Sequence, residues 1–485
     1  MNKILKQLKL TFALALPMMA GQVGQMLLGL SDTLMIGQIG TVELAASAFV
    51  NVLYHIPIVI GFALAAAVSV QVAHYHGAKQ DVDAGEAFRH GLYISLALAV
   101  AIALITFALF PVLHWFGQPD DVIEAARPYL FWITLSSLPM MPALICKSFA
   151  DSKNHPWPIF MIMLAGVGAN ILLNYLLIFG KFGFPEMGLV GAGIATFIAR
   201  VLTLVWVWMY LKNSKTLQVS WPKRWLAFID QTECIALIKL ATPISGQILM
   251  EFGLIALTAL FIGSFGAIPL ASHQIAMTCA ATTFMLPMGL SQAVTIRVGH
   301  SLGKDMPLHC RDIVIGAHLL TLFIMGSAAL VYLILGEVIA DSFSNDPEVV
   351  QLTATLLIIT AIFQLFDGAQ IISVGGLRGL KDVRLPTGII FVSYWVISLP
   401  LGLVLAYGFK MQAIGFWIAL AVGLAIAAFA QSGRLVYKLK EIERKGMAHS
   451  RPSENARKSS PTRVNSHDLL EVVSGEKGMI SRKDF

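Results

Sequence analysis

Charged side chains are scarce in this chain. Of its 485 residues only 13% are Asp, Glu, Lys or Arg, and 57% are hydrophobic, whereas about a quarter of the residues of a soluble domain are charged. This shortage excludes a surface that faces water throughout and predicts one that faces lipid. About twelve apolar runs approach the roughly 20 residues that a transmembrane helix needs. Because a spanning segment must satisfy its own backbone, and the alternation typical of a membrane β-barrel is missing, we predict an all-α membrane protein.

Cysteine is also scarce, and its spacing argues against a metal site. The four cysteines show neither paired nor metal-ligand spacing, so we expect them to be small buried hydrophobic residues. Several histidines lie near predicted helix ends or loops without partner spacing, which disfavours a membrane enzyme. We therefore expect no catalysis and no cofactor. The net charge of +6 resides in particular loops, so no nucleic-acid partner is expected. The cysteines are Cys146, Cys234, Cys279 and Cys310, and the histidines near helix ends or loops are His55, His74, His90 and His300.

The predicted helices place the basic residues on one side of the membrane. The expected spans are 10–37, 45–73, 88–113, 127–150, 157–180, 188–211, 235–263, 269–298, 312–340, 350–376, 386–408 and 412–437. Lys and Arg collect in the loops on the side of both termini, which are therefore expected to be cytoplasmic. The amino terminus resembles a signal peptide, but its apolar run continues past Ala20 and recurs in mid-chain, so we predict a first transmembrane helix.

Two copies of one unit make up these helices. Pro17 matches Pro243 and Gly37 matches Gly263, both at an offset of 226 residues. The same offset relates residues 72–77 to residues 298–303. Six helices per copy, with both ends on one side, predict parallel repeats about an axis along the membrane normal.

The repeat and the polar stretches predict the domain organisation. The expected parts are an amino-terminal lobe (1–211), a cytoplasmic linker (212–234), a carboxyl-terminal lobe (235–440) and a disordered cytoplasmic tail (441–485). Within the linker, the stretch WPKRWLAFIDQ favours a short interfacial helix with Trp221 and Trp225 at headgroup depth.

Three carboxylates, Asp32, Glu251 and Asp367, lie well inside predicted helices. A carboxylate there is costly unless it is paired, solvated or functional, so the default interpretation is a pathway or coupling residue. The alternative is a structural carboxylate bonded to neighbouring hydroxyls. The repeat places Thr258 opposite Asp32 and no acid opposite the other two. Neither half copies the other's acid, which favours a separate polar site in each lobe.

Side chains that can join Asp32 lie on two later helices. Asn170 and Asn174 are four residues apart and share a helical face, and Thr196 adds a hydroxyl from the next helix. This all-oxygen set suits a hard cation such as Na⁺. The carboxylate can instead carry a proton, because burial disfavours its charged form, or the asparagines can simply hold helices together. Arg200, the one basic residue deep inside a predicted span, is expected either to snorkel or to pair with a carboxylate.

Six stretches of the chain resemble the multidrug and toxic compound extrusion (MATE) transporters, most closely their NorM-like bacterial branch. They are LSDTLMIGQIG (30–40), NILLNYLLIFGKFG (170–183), GLVGAGIAT (188–196), ASHQIAM (271–277), PMGLSQAVTIRVGHSLG (287–303) and FDGAQIISVGGLRGLKD (366–382). The resemblance covers about residues 5 to 440. It implies a V-shaped bundle of twelve helices in two lobes that exports organic cations in exchange for Na⁺ or H⁺.

The resemblance also implies the site residues. They are Asp32, Asn170, Asn174 and Thr196 in the amino-terminal lobe, as a tentative Na⁺ site, and Glu251 and Asp367 in the carboxyl-terminal lobe. Close relatives carry a Tyr four residues before the last Asp, where this chain has Phe363. The missing hydroxyl removes a potential cation ligand and shifts the expected coupling toward Asp32.

The sequence therefore predicts a monomeric antiporter in the bacterial inner membrane. It is expected to export drug-like, often cationic compounds by alternating access, with the lipid bilayer, its substrates and Na⁺ or H⁺ as its only partners. The alternative is a lipid or polyprenyl-carrier flippase of related fold. Phosphate-bearing cargo would need a cavity lined with Arg and Lys, for which only Arg200 is a candidate. The residues leave the choice between Na⁺ and H⁺ open.

Overall fold

The computed structural model describes residues 2–225 and 227–449, with side chains described from residue 4 to residue 445 apart from residue 226. Within these residues the fold is all-helical, and twelve helices are long and apolar enough to cross a membrane, which confirms the predicted class and number. The helices are α1 (Asn2–Gly37), α2 (Thr41–Gly77), α3 (Asp81–Phe116), α4 (Asp120–Ser152), α5 (Pro156–Ile178), α6 (Gly188–Asn213), α7 (Gln231–Gly263), α8 (Ala267–Gly303), α9 (Pro307–Phe343), α10 (Pro347–Gly379), α11 (Arg384–Gly408) and α12 (Gln412–His449).

Most helices extend a few residues beyond the predicted apolar spans. Polar residues in the first helical turns explain this, because the predicted spans contain only the apolar part of each helix. Pro156, Pro307 and Pro347 each occupy the first helical position, where the missing N–H would have had no partner and the fixed φ suits a helix. Asp230 caps α7 by accepting a hydrogen bond from the backbone N of Thr232 at 2.8 Å.

The carboxyl-terminal tail begins later than predicted. The last helix continues to His449, so the expected disorder from residue 441 is wrong for residues 441–449. Ion pairs support the extension: Glu441 pairs with Lys438 at 2.9 Å and with Lys445 at 2.8 Å, at spacings that stabilise a helix. Residues 450–485 of the predicted tail lie outside the described residues.

The linker between α6 and α7 also differs from the prediction. A single turn of helix, Lys215–Gln218, precedes an irregular loop. Arg89, buried on α3, donates hydrogen bonds to the backbone carbonyls of Arg224 and Ala227 at 2.9 and 3.1 Å. A helix would need those carbonyls for its own N–H groups. The expected interfacial helix is therefore wrong.

The two tryptophans of this loop pack inward. The ring centroids of Trp221 and Trp225 lie 5.4 Å apart, and they lie 5.2 and 5.4 Å from Trp208 on α6. Both rings also contact Phe88 of α3. These tryptophans pack against the core of the first half, and their depth in the membrane stays a prediction.

The two six-helix halves interdigitate on the side that carries both chain ends, called here the terminal side. Leu14 and Met18 of α1 share a buried cluster with α8, α9, α10 and α12 of the second half. Conversely, Leu237 and Ile244 of α7 lie in the core of the first half. Each half thus contributes its first helix to the other half's core.

The halves separate toward the opposite side. There, one buried cluster forms around Tyr54 and Leu130 from first-half helices alone. Another forms around Leu356 and Trp417 from second-half helices alone. Because each core on this side is closed within its own half, the two lobes join at the terminal side and diverge above it, in a V.

Candidate functional site

The predicted residues of the first half form one continuous hydrogen-bonded chain. Asp32 on α1 accepts a hydrogen bond from Nδ2 of Asn174 at 2.6 Å. The same amide nitrogen donates to Oδ1 of Asn170 at 3.1 Å, and Nδ2 of Asn170 donates to the hydroxyl of Thr196 at 3.4 Å. The structure therefore brings all four residues together, from α1, α5 and α6.

This cluster has the properties of a cation site. Asn170, Asn174 and Thr196 are buried, and Asp32 is half-buried, so one carboxylate remains within reach of an entering ion. Oδ1 of Asn174 is buried without a hydrogen-bond partner, and such an unsatisfied oxygen costs about 1–3 kcal/mol. The Thr196 hydroxyl donates to the carbonyl of Ala192 at 2.9 Å and accepts only the long bond from Asn170 at 3.4 Å, so its oxygen keeps a lone pair for a cation. A hard cation would satisfy these oxygens, and a proton on Asp32 would use the same carboxylate.

Of the two predicted alternatives for Arg200, pairing with a carboxylate is wrong for the described residues, and snorkelling stays a prediction. Its guanidinium donates hydrogen bonds to the hydroxyls of Tyr54 and Ser136 at 3.1 and 2.5 Å. It forms no ion pair with a carboxylate among the described residues, and it lies 5.5 Å from the Tyr54 ring centroid. Ser136 is fully buried where α4 passes α6. Arg200 thus joins α6 to α2 and α4 close to the Asp32 cluster.

Replacing Arg200 with Met should destabilise the first half. Each hydrogen bond to a charged group contributes about 1.5–3 kcal/mol, so the free energy of unfolding should fall by at least about 2 kcal/mol, even though Met keeps much of the apolar volume. Thermal unfolding of the purified protein in detergent measures this. The control is Arg127→Met at an exposed position of α4. Equal melting temperatures for the two variants would contradict a structural role of Arg200.

The second half contains a different polar cluster around Glu251 on α7. Its Oε1 accepts hydrogen bonds from Nε2 of Gln247 at 3.2 Å and from Nε2 of Gln370 at 3.1 Å. Tyr394 on α11 donates to Oε1 of Gln370 at 3.0 Å, and Arg378 donates to Oε1 of Gln247 at 3.4 Å. Glutamine nitrogens therefore surround this carboxylate, and they would have to turn before a cation could use their oxygens.

Asp367 lies on α10 three residues before Gln370, so the two side chains share a helical face. It is half-buried and accepts no hydrogen bond from the described residues. Phe363, one turn earlier, packs against Trp417 with ring centroids 6.0 Å apart. Phe363 thus contributes to packing at the position where the family resemblance implies a tyrosine hydroxyl.

Sequence reasoning missed the partners of these acids. Gln247 precedes Glu251 by four residues on one helix, a spacing that could have indicated a contact. Gln370 lies 119 residues from Glu251, and no local pattern indicates that pairing. Tyr54 and Ser136 likewise carry no sequence signal as partners of Arg200.

A small cavity of about 20 Å³ lies between α1, α4 and α5. Gln25, Lys147 and Asp151 line it, and Lys147 pairs with Asp151 at 2.6 Å. Gln25 precedes Asp32 by seven residues, about 10 Å along α1 toward the terminal side. A cavity of this volume holds about one water molecule, whereas pockets for drug-sized ligands measure roughly 300–1,000 Å³, so this cavity is too small for such a compound.

Comparisons with known proteins agree with the fold. Residues 17–176 and 243–404 each match the family model described as MatE. Proteins named "Probable multidrug resistance protein NorM" from Xylella fastidiosa and Pseudomonas putida are each 33% identical to this chain, over 428 and 454 residues. The alignments cover 86% and 90% of this chain and 89% and 96% of those relatives.

Two solved structures resemble the whole chain. The Vibrio cholerae MATE transporter VcmN in its bent form has 21% sequence identity and a TM-score of 0.83, with 91% of this chain and 99% of that chain covered. The eukaryotic MATE transporter AtDTX14 has 21% identity and a TM-score of 0.81, with 92% and 99% covered. The predicted V-shaped architecture of two six-helix lobes is thereby confirmed.

Proposed function

Since the chain belongs to the MATE family of multidrug efflux transporters, we propose that it exports organic, often cationic compounds across the bacterial inner membrane in exchange for Na⁺ or H⁺. The observation that carries the coupling proposal is the cluster of Asp32, Asn170, Asn174 and Thr196. It combines a half-buried carboxylate with a buried, unpartnered amide oxygen inside a membrane helix bundle. Both features favour the entry of a cation or a proton.

Neutralisation of Asp32 would drive the conformational cycle. The bond between Asp32 and Asn174 is charge-assisted and joins α1 to α5. A cation or proton on Asp32 weakens that bond and changes the packing of α1. Because α1 also lies in the core of the second half, a shift of this helix is transmitted to both lobes. The cycle proposed is alternating access between the observed V, open away from the termini, and a form open to the terminal side.

The second lobe takes a subsidiary part in this proposal. Glu251 already accepts two hydrogen bonds from glutamines, and Phe363 contributes no hydroxyl. Asp367 remains available to attract a cationic substrate. We therefore assign coupling chiefly to the first lobe and substrate attraction to the second.

A flippase for phosphate-bearing lipid is less well supported. Such cargo requires basic side chains that are free to bind phosphate. Arg200, the candidate for this role, is engaged by Tyr54 and Ser136, and Arg378 is directed at Gln247. Both guanidinium groups therefore already make hydrogen bonds within the protein.

Dye efflux from proteoliposomes tests the function and the coupling ion together. The purified chain is reconstituted, loaded with a fluorescent organic cation, and exposed first to an Na⁺ gradient at equal pH and then to a pH gradient without Na⁺. We expect one of the two gradients to drive efflux above the level of protein-free vesicles. If neither gradient does so while labelled lipid is translocated, the antiporter proposal fails and the flippase alternative takes its place.

A further inference from the structure

The loop between α6 and α7 exposes apolar and basic side chains next to each other. Phe228 is fully exposed and Ile229 is 58% exposed. Lys223 and Arg224, a few residues earlier, are also exposed. The tryptophans of the same loop pack inward, and these four exposed residues, Lys223, Arg224, Phe228 and Ile229, are called here the linker patch.

Hydrogen bonds hold the linker patch rigidly against α3. The buried guanidinium of Arg89 donates to the carbonyl of Phe228 at 3.2 Å, in addition to its bonds to Arg224 and Ala227. The hydroxyl of Tyr93 donates to the carbonyl of Trp225. A loop that is already ordered loses little conformational entropy when a ligand binds.

The position of Arg89 sets the depth of the patch. It lies eight residues into α3, about 12 Å from the beginning of that helix. The helix contains 36 residues and would be about 54 Å long, whereas the hydrocarbon core is about 30 Å thick. A centred α3 thus extends about 12 Å beyond the core at each end. The loop bound to Arg89 therefore lies at the boundary between hydrocarbon and headgroups, not beyond the helix ends.

Aromatic and aliphatic side chains beside Lys and Arg at this depth have the composition of an interfacial lipid contact. The one acid of the loop, Asp230, is occupied with capping α7. We propose that the linker patch binds the anionic lipid surface on the terminal side. Phe228 and Ile229 insert among the acyl chains, while Lys223 and Arg224 bind headgroup phosphates. The inference is independent of the transported compound and of the coupling ion.

Site-directed fluorescence tests the apolar part of this proposal. Phe228 is replaced with Cys in a Cys234→Ser background, because the remaining cysteines are buried and should not react. The new cysteine is labelled with an environment-sensitive dye. The labelled protein is then reconstituted in phosphatidylcholine vesicles with and without phosphatidylglycerol. We expect blue-shifted emission that is quenched by lipids with a spin label near the headgroup. The matched control is Lys304→Cys, in the exposed turn after α8, whose label should emit as in water. Identical emission and no quenching at both positions would overturn the insertion.

The basic side chains are tested in the same vesicles. A basic residue at an anionic surface contributes about 1 kcal/mol, or about fivefold in affinity. The Lys223→Gln/Arg224→Gln variant should therefore bind phosphatidylglycerol about 25-fold more weakly, so its blue shift should respond less to phosphatidylglycerol content. The response of the unmodified loop should weaken at high salt. Quenching that does not change with phosphatidylglycerol content would overturn the anionic lipid as the partner. Loss of the signal on adding a soluble protein would indicate a protein partner instead and overturn the proposal.

Discussion

Replacing Asp32 with Asn is expected to abolish gradient-driven export while the protein still folds and inserts. The amide keeps the shape of the side chain and can still accept a hydrogen bond from Asn174, so the contact between α1 and α5 is largely retained. What is lost is the negative charge. Removing one partner of a buried charge pair costs about 3–5 kcal/mol, and 3 kcal/mol corresponds to a cation affinity about 100-fold lower. Efflux of a fluorescent substrate from proteoliposomes under the driving gradient measures the effect.

The matched control for this experiment is Asp120→Asn. It makes the same chemical change at an exposed carboxylate in the first turn of α4 and should leave export unchanged. Glu251→Gln provides an internal comparison and should reduce export less than Asp32→Asn, because Glu251 is already surrounded by glutamine nitrogens. Full export by the Asp32 variant at normal expression would remove the first lobe from the coupling proposal.

The Asp32 cluster could be assembled from the sequence because its signals are local. A carboxylate in an apolar run is conspicuous, and Asn170 and Asn174 are four residues apart on one helix. The distances could not be predicted, since they depend on how α1, α5 and α6 pack. The unpartnered oxygen of Asn174 is a further product of packing, and it is the feature that most favours a cation.

The glutamine shell of Glu251 had no comparable signal. Its two members come from α7 and α10, and glutamine is too common to be conspicuous in a sequence. The partners of Arg200 had no signal for a related reason. The predicted alternatives considered water and carboxylates, whereas in the structure one guanidinium nitrogen donates to two hydroxyls. Tyr54 and Ser136 lie on two other helices, so no local pattern indicates them.

The linker prediction rested on the tryptophan-rich stretch alone and could not include the side chain that binds the loop. The predicted third span began at residue 88, next to Arg89. The helix in fact begins at Asp81, so Arg89 occupies its third turn and faces the loop. Its three hydrogen bonds to loop carbonyls replace those of the helix that the tryptophan spacing had suggested.

The repeated segments 72–77 and 298–303 indicated an internal repeat but not that the two copies touch each other. In the structure, α2 and α8 cross on the terminal side with almost no space between their backbones. A Cβ atom at Gly77 would overlap the carbonyl oxygen of His300, and one at Gly303 would overlap that of His74. At Gly299, a Cβ would lie 3.0 Å from the Cβ of Ala73. The crossing is therefore possible only with glycine at these positions.

The Gly77→Ala/Gly303→Ala variant should consequently lose both stability and export. Overpacking of this kind costs about 1–3 kcal/mol per site, and the obstructing atoms are backbone, which cannot move aside as a side chain could. The control is Gly326→Ala on α9, where no atom lies within 4 Å of the added Cβ. Alanine is favoured over glycine inside a helix by about 1 kcal/mol, so the control should be equally stable or more stable. The two substitutions thus have opposite expected signs in thermal unfolding.

A melting temperature of the double variant at or above that of the unmodified protein would show that the helices do not need this close crossing. If stability falls as expected, export should fall further than the loss of folded protein explains. The crossing is a contact between the two lobes, so changing it should also disturb their relative movement in the proposed transport cycle.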